Sequence, residues 1–340
     1  MMKELELRKN ELPGNELQTV YFGGGTPSVL SGEELNFIFS EIAKHFSIAE
    51  NAEITLEANP DDLGENYLRA LKATPVNRLS IGIQSFRDED LRMMNRAHTS
   101  AEAEACVKRA QDTGFTNLTV DLIYGIPGLT EEDWLANLEK VKALGTQHLS
   151  AYCLTVEPRT ALAHLVKSGK VRPVDEAQAS RHFHALAHFA ETNGFQHYEI
   201  SNFAKEGFVA KHNSSYWFGE PYLGIGPSAH SFRENTRRWN ISNNAQYIKR
   251  ISEGIQSFGE ETLTAKERFN EFIMTRLRTH WGLSFSEIEN RFGKAALQEL
   301  KTQSQKWLNS GQMREEKEAF FLTINGKLMA DAIASDLFMV

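Results

Sequence analysis

Tyr21-Phe22-Gly23-Gly24-Gly25-Thr26-Pro27-Ser28 closes an apolar strand with three consecutive glycines and leads straight into a helix. The preceding Leu17 to Phe22 reads as a buried strand, and Ser31 opens a helical pattern carried by Leu35, Ile38, Phe39 and Ile42. Glycines at a strand end let the backbone approach a ligand with no side chain intervening. Their amide N–H groups offer donors to a carboxylate or phosphate. A tight turn explains one glycine. Three followed by Thr-Pro point to a ligand site.

Outward from this stretch, short apolar runs alternate with helical patterns up to about residue 155. Strands are expected at Thr19–Phe22, Ile54–Glu57, Leu79–Gln84, Leu118–Tyr124 and Leu149–Leu154, and helices near 32–46, 62–72, 88–112 and 131–144. The helix starts carry capping signals: Ser31 before Glu33-Glu34, Asp61-Asp62, and Thr130 before Glu131-Glu132-Asp133. This repetition predicts an α/β protein whose parallel sheet is covered by helices, either an open wound sheet or a barrel. Ligand-capable residues recur at the C-terminal strand ends: the glycines, Glu57, Gln84 and Asp121. In both architectures that edge binds ligands. Asp121, between Val120 and Leu122, is costly in an apolar strand unless partnered. For one such residue a structural hydrogen bond is as good an explanation; four on one edge indicate a shared site.

At 340 residues the chain is long enough for one large domain and a smaller one, with 41% apolar and 24% charged residues. No apolar run is of membrane-spanning length and the N-terminus lacks a signal-peptide core, so a cytoplasmic location is expected. The net charge of −8 argues against a broad nucleic-acid-binding surface. The two cysteines, Cys106 and Cys153, both fall in apolar periodic segments and read as buried thiols.

His184 and His188 lie one helical turn apart on a helix from Asp175 to about Thr192, and without an acidic partner they read as a solvated face. From Gly194 to Ile241 the pattern is irregular and dense in Gly, Asn and aromatics. It contains His212-Asn213-Ser214-Ser215-Tyr216-Trp217 and Gly226-Pro227-Ser228-Ala229-His230, and loops of this composition are rarely mere connectors. From about Thr262 three helices and a hairpin near Met313 to Thr323 suggest a winged-helix-like module. Its Lys294–Trp307 helix is only modestly basic, which favours packing or docking over DNA binding. The expected division is residues 1–195, 196–260 and 261–340.

The ordered set of YFGGGTPS, Glu57-Ala58-Asn59-Pro60, Ser80 to Phe86, Asn95-Arg96, Asp121 to Gly128 and His212 to Trp217 resembles the radical S-adenosylmethionine proteins related to oxygen-independent coproporphyrinogen III oxidase. The HNxxYW piece resembles their heme chaperone branch rather than the oxidase proper. The resemblance spans essentially the whole chain. It implies a partial (β/α) barrel of parallel strands with the C-terminal module appended. It further implies S-adenosylmethionine at Gly24, Gly25, Thr26 and Glu57, with Gln84, Arg96 and Asp121 at positions that hold a second S-adenosylmethionine in the oxidase. Heme is implied at His212, as axial ligand, with Tyr216 and Trp217 as aromatic surfaces. A recipient hemoprotein, such as a membrane respiratory enzyme, is the implied partner; no nucleic acid is expected, and dimerisation is left open.

One part of the family pattern is missing. A [4Fe–4S] cluster in such proteins needs three cysteine thiolates, usually in a CxxxCxxC loop after the first strand. This sequence has no such motif, and its first strand corresponds to the family's second. The expectation is a chain shortened ahead of its cluster loop rather than a naturally cluster-less relative, with the barrel lacking its first strand and the 19–22 strand left with an open edge. The alternative function, oxidative decarboxylation of coproporphyrinogen propionates, needs the cluster and a substrate-binding extension. As it stands the chain should not perform it.

Overall fold

The computed structural model describes residues 1–255 and 258–339. Seven strands form the main sheet: β1 (Glu16–Phe22), β2 (Ser47–Ala58), β3 (Arg78–Gln84), β4 (Asn117–Tyr124), β5 (His148–Cys153), β6 (Gln196–Glu199) and β7 (Asn202–Ala204). Their order is β1-β2-β3-β4-β5-β7-β6, so β1 is an edge strand. β2, β3, β4 and β5 pair in parallel, and the β6/β7 hairpin adds antiparallel to β5. This is the curled, mostly parallel sheet of a partial β/α barrel. The five expected strands are all present. The short hairpin, within the stretch read as irregular, is an addition that four- and three-residue strands conceal from periodicity.

Alternation along β3 and β4 explains the sheet. Leu79, Ile81 and Ile83 in β3, and Leu118, Val120 and Leu122 in β4, are buried on the helix-covered face. Each such side chain contributes about 1.5–3 kcal/mol of hydrophobic stabilisation. The opposite face carries Ser80, Gln84, Thr119 and Asp121 in the same strands. Helices Glu65–Lys72, Ser100–Asp112, Glu131–Leu144 and Glu176–Thr192 follow in sequence, the last three with side-chain caps from Thr99, Thr130 and Asp175.

The helix expected over 88–112 is two helices, Asp88–Met93 and Ser100–Asp112. Asn95 adopts a left-handed backbone with φ +55°, closing the first turn, and Thr99 and Glu102 form a capping box that starts the second helix. The break leaves Arg96 in a loop. Cys106 is buried as expected, but Cys153 is exposed because β5 emerges from the core at Tyr152. His184 and His188 are exposed, in accord with a solvated face, while their neighbour His182 is buried and its Nδ1 accepts from the Gly125 amide at 3.2 Å.

The chain divides into two compact units: residues 20–36 with 53–210, and residues 1–19, 37–52 and 211–340. The boundary between the units at residues 210 and 211 falls inside the 196–260 stretch. In the second unit the helix Met2–Arg8 is anchored by a fully buried carboxylate, Glu4. It accepts from Arg8 Nη1 at 2.9 Å, Asn240 Nδ2 at 2.6 Å, the Tyr247 hydroxyl at 2.5 Å and the Gly226 amide at 2.9 Å. The C-terminal part holds helices Ala265–Leu277, Phe285–Phe292 and Lys294–Asn309 and the hairpin Met313–Glu316/Ala319–Leu322, as expected, followed by Ala330–Asp336. Among the described residues no helix is long and apolar enough to cross a membrane.

Candidate functional site

The glycine stretch leaves β1 exposed from Gly23 to Thr26. Gly24 and Gly25 take left-handed backbones, φ +75° and +65°, and a Cβ at either would meet nothing within 4 Å. Backbone conformation, not crowding, selects glycine there. Gly23 is different, since a Cβ would come within 2.5 Å of the Tyr21 ring and 3.0 Å of Glu57 Oε1. Glu57, at the end of β2, is held from two sides: the Tyr21 hydroxyl donates at 2.6 Å and the Gly24 amide at 3.2 Å. The Gly24 amide is therefore engaged within the protein. The Gly25 amide has no hydrogen-bond partner among the described residues.

Register carries the site across the sheet. Glu57 lies opposite Ser80, whose hydroxyl donates to Asp121 Oδ2 at 3.1 Å. Burial pushes the Asp121 carboxyl up to about 6, and the negative charge of Glu57 acts in the same direction against the positive Arg78. Burial, followed by Glu57 and Asp121 together, also raises the Tyr21 phenol. Glu57, Asp121 and Tyr21 thus form one electrostatic neighbourhood.

A second pair converges at Gly82. A Cβ there would sit 2.8 Å from Gln84 Nε2 and 3.4 Å from Arg96 Nη2, so the glycine makes room for both side chains. Arg96 Nη2 donates to Asn59 Oδ1 and to the Gly82 carbonyl, each at 2.9 Å. Gln84 has φ +69°, next to a shift in the β3/β4 register, a costly conformation for a residue with a side chain. Thr26 follows the glycines; its carbonyl accepts from the Val29 amide at 3.2 Å and begins the short helix Pro27–Val29. Tyr21, Asn59, Ser80 and Gly82 are the positioning groups that sequence reading missed. Their signal was available: each is two residues from, or directly opposite, a residue already singled out.

In the other unit, His212, Tyr216 and Trp217 stand on a helix, Lys211–Phe218, rather than in the expected loop. Residues at i and i+4 share a helix face. Accordingly His212 Nε2 lies 2.8 Å from the Tyr216 hydroxyl, while Nδ1 lies 2.8 Å from Thr19 Oγ1. Tyr216 is exposed and packs edge-on against Tyr222 with ring centres 4.7 Å apart. Trp217 is half-buried, and its indole N–H is shut from solvent without a hydrogen-bond partner. The helix can thus present an imidazole and two aromatic faces.

Thiolates for an iron–sulfur cluster are a separate question. Three are needed, and the chain has two cysteines, one buried on the Ser100–Asp112 helix and one exposed at the end of β5. Among the described residues no group of three His, Cys, Asp or Glu could hold a metal ion. The residues present do not fit the cluster.

The fold is that of a radical SAM protein. The Radical SAM superfamily model matches residues 3–141 and the HemN C-terminal domain model residues 263–329. The coproporphyrinogen III oxidase HemN from Escherichia coli shares the fold with a TM-score of 0.84, at 23% identity over 99% of this chain and 81% of that one. Heme chaperone HemW of Bacillus subtilis is 32% identical over 94% of this chain and 84% of its own length. The Haemophilus influenzae heme chaperone HemW is 32% identical over 98% and 86%. The chain belongs to the HemW family.

Proposed function

We propose that this protein is a heme carrier that binds heme through the Lys211–Phe218 helix and passes it to a hemoprotein. The observation that carries the reading is the His212/Tyr216 pair, set on one helix face in a chain of the HemW family. A neutral imidazole is a good iron ligand, and the exposed Tyr216 ring and half-buried Trp217 supply apolar surface for a macrocycle. Heme titration followed in the Soret region tests it. Loss of the bound spectrum in His212→Ala supports the ligand assignment, and an unchanged titration refutes it.

The same reading places S-adenosylmethionine at the strand-end rim. When bound, this cofactor would supply a sulfonium centre. The rim residues have roles that need no cluster. The Gly25 amide is available to a carboxylate, Glu57 is fixed to face an ammonium or sulfonium, and Arg96 is braced to pair an anion. Asp121, raised toward neutrality, suits a ribose hydroxyl, which it can meet as donor or acceptor. Equilibrium dialysis with labelled S-adenosylmethionine checks this. Retention by Glu57→Gln and Arg96→Ala equal to that of the parent would refute it. No step through a cluster is derived, because the thiolates for one are not among the residues present.

A further inference from the structure

A cavity of about 590 Å³ opens beside the helix that carries Tyr216 and Trp217. Its volume lies within the range of sites for small organic ligands. Trp217, Phe218, Tyr222, Phe272 and Phe292 give it aromatic surface, and three arginines and three glutamates, Glu220, Glu234 and Glu271, share the wall. The far wall is a stripe of the Ala265–Leu277 helix: Arg268, Glu271, Phe272 and Thr275, at the three- and four-residue steps of one helix face.

Charge singles out Arg268. Arg237, another lining residue, is held by Glu261 at 3.0 Å and Glu271 at 2.9 Å, and Arg291 by Glu287 at 2.9 Å. The Arg268 guanidinium makes no hydrogen bond or ion pair among the described residues, and the residue is exposed at the cavity. Trp217 adds a second unmet group, the partnerless indole N–H noted above. A buried donor left unpaired is costly and calls for a reason. A flat aromatic ligand carrying carboxylates answers both features.

We propose that this cavity seats the porphyrin plane and that Arg268 anchors a propionate. The proposal rests on the heme-carrier reading and adds the position of the macrocycle and the residue that recognises its acidic edge. It separates two contributions, with iron held from the His212 side and the carboxylate edge held by Arg268.

The test uses the full chain and three probes: heme, iron-free protoporphyrin IX and protoporphyrin IX dimethyl ester. Arg268→Glu is expected to weaken heme and protoporphyrin IX binding on the order of tenfold, the effect of about 1.4 kcal/mol. It should leave the uncharged diester unchanged, and Arg268→Lys should bind nearly as the parent does. His212→Ala should weaken heme and spare iron-free porphyrin. Arg268 is exposed, so a melting curve suffices to show that its variants fold. Heme bound by the parent but equally by Arg268→Glu overturns the cavity assignment alone, as does a diester that suffers as much as the diacid. A parent that binds no heme overturns the carrier reading and this inference with it.

Discussion

The phenol of Tyr216 stands 2.8 Å from Nε2 of His212, and the other ring nitrogen is 2.8 Å from the Thr19 hydroxyl. Both nitrogens are thus engaged, and iron coordination through Nε2 must first displace Tyr216. A hydrogen bond of this kind is worth about 1 kcal/mol net. Tyr216→Phe keeps the ring and removes the competitor, so heme affinity should rise about fivefold. Titration of the two proteins side by side measures it. A fall in affinity instead would identify the phenol, not the imidazole, as the iron-side group.

Asp121 gives a pH dependence with a definite sign. Its carboxyl is raised from 3.8 to about 6 in the folded chain, chiefly by burial. A raised acid pKa means that ionisation costs the folded state, so this group's contribution falls as pH rises from about 4 to 6 and is then constant. Asp121→Asn removes the charge. The variant should be more stable by about 2 kcal/mol at pH 7.5, with the difference vanishing near pH 4. Denaturant midpoints across that range check it, and a difference independent of pH contradicts it.

Glu4 tests the opposite situation, a buried charge with all its partners in place. Four donors, one of them the Arg8 guanidinium, converge on it. Removing one member of a buried pair costs about 3–5 kcal/mol because the other charge stays behind. Arg8 retains Glu11 at 2.9 Å, so Glu4→Leu should cost about 3 kcal/mol. Glu4→Gln, which keeps the shape, should cost less. Urea unfolding with equal loss for both variants would mean that the charge is immaterial.

Gly23 and Gly25 should respond differently to alanine. At Gly25 the penalty is conformational, about 1–2 kcal/mol for a left-handed residue, with no clash. At Gly23 the new methyl meets the Tyr21 ring and dislodges it from Glu57. Gly23→Ala should therefore lose more stability than Gly25→Ala in urea unfolding, and the excess should shrink when Tyr21 is also replaced by Ala. An excess that persists without the Tyr21 ring would detach Tyr21 from the glycine stretch.

Much of this was legible in the sequence because strands advertise themselves by alternation. Leu79, Ile81 and Ile83 against Ser80, Gly82 and Gln84 fix both the strand and the face that Gln84 shares. Glu57 and Asp121 were found as charges inside apolar runs. Their partners were not, since Tyr21 and Ser80 are ordinary strand residues until register sets them beside a carboxylate. The break before Arg96 was written in Thr99 and Glu102, a capping box that a continuous helical pattern overshadowed. His212 was read on a loop because a single eight-residue helix lies below the length at which periodicity speaks. Arg268 carried no mark at all. Only the pairing of its neighbours with Glu261, Glu271 and Glu287 makes it stand out.

The polypeptide changes from one compact unit to the other between residues 19 and 20, 36 and 37, 52 and 53, and 210 and 211. Neither unit is a contiguous stretch that recombination could have transplanted whole. A fragment starting at residue 211 would forfeit the Glu4 anchor and Thr19, the hydroxyl that steadies His212. The His212 arrangement proposed for iron is thereby hostage to the first nineteen residues of the sequence. Dissection by expression of isolated halves would mistake a dismantled protein for an inactive one.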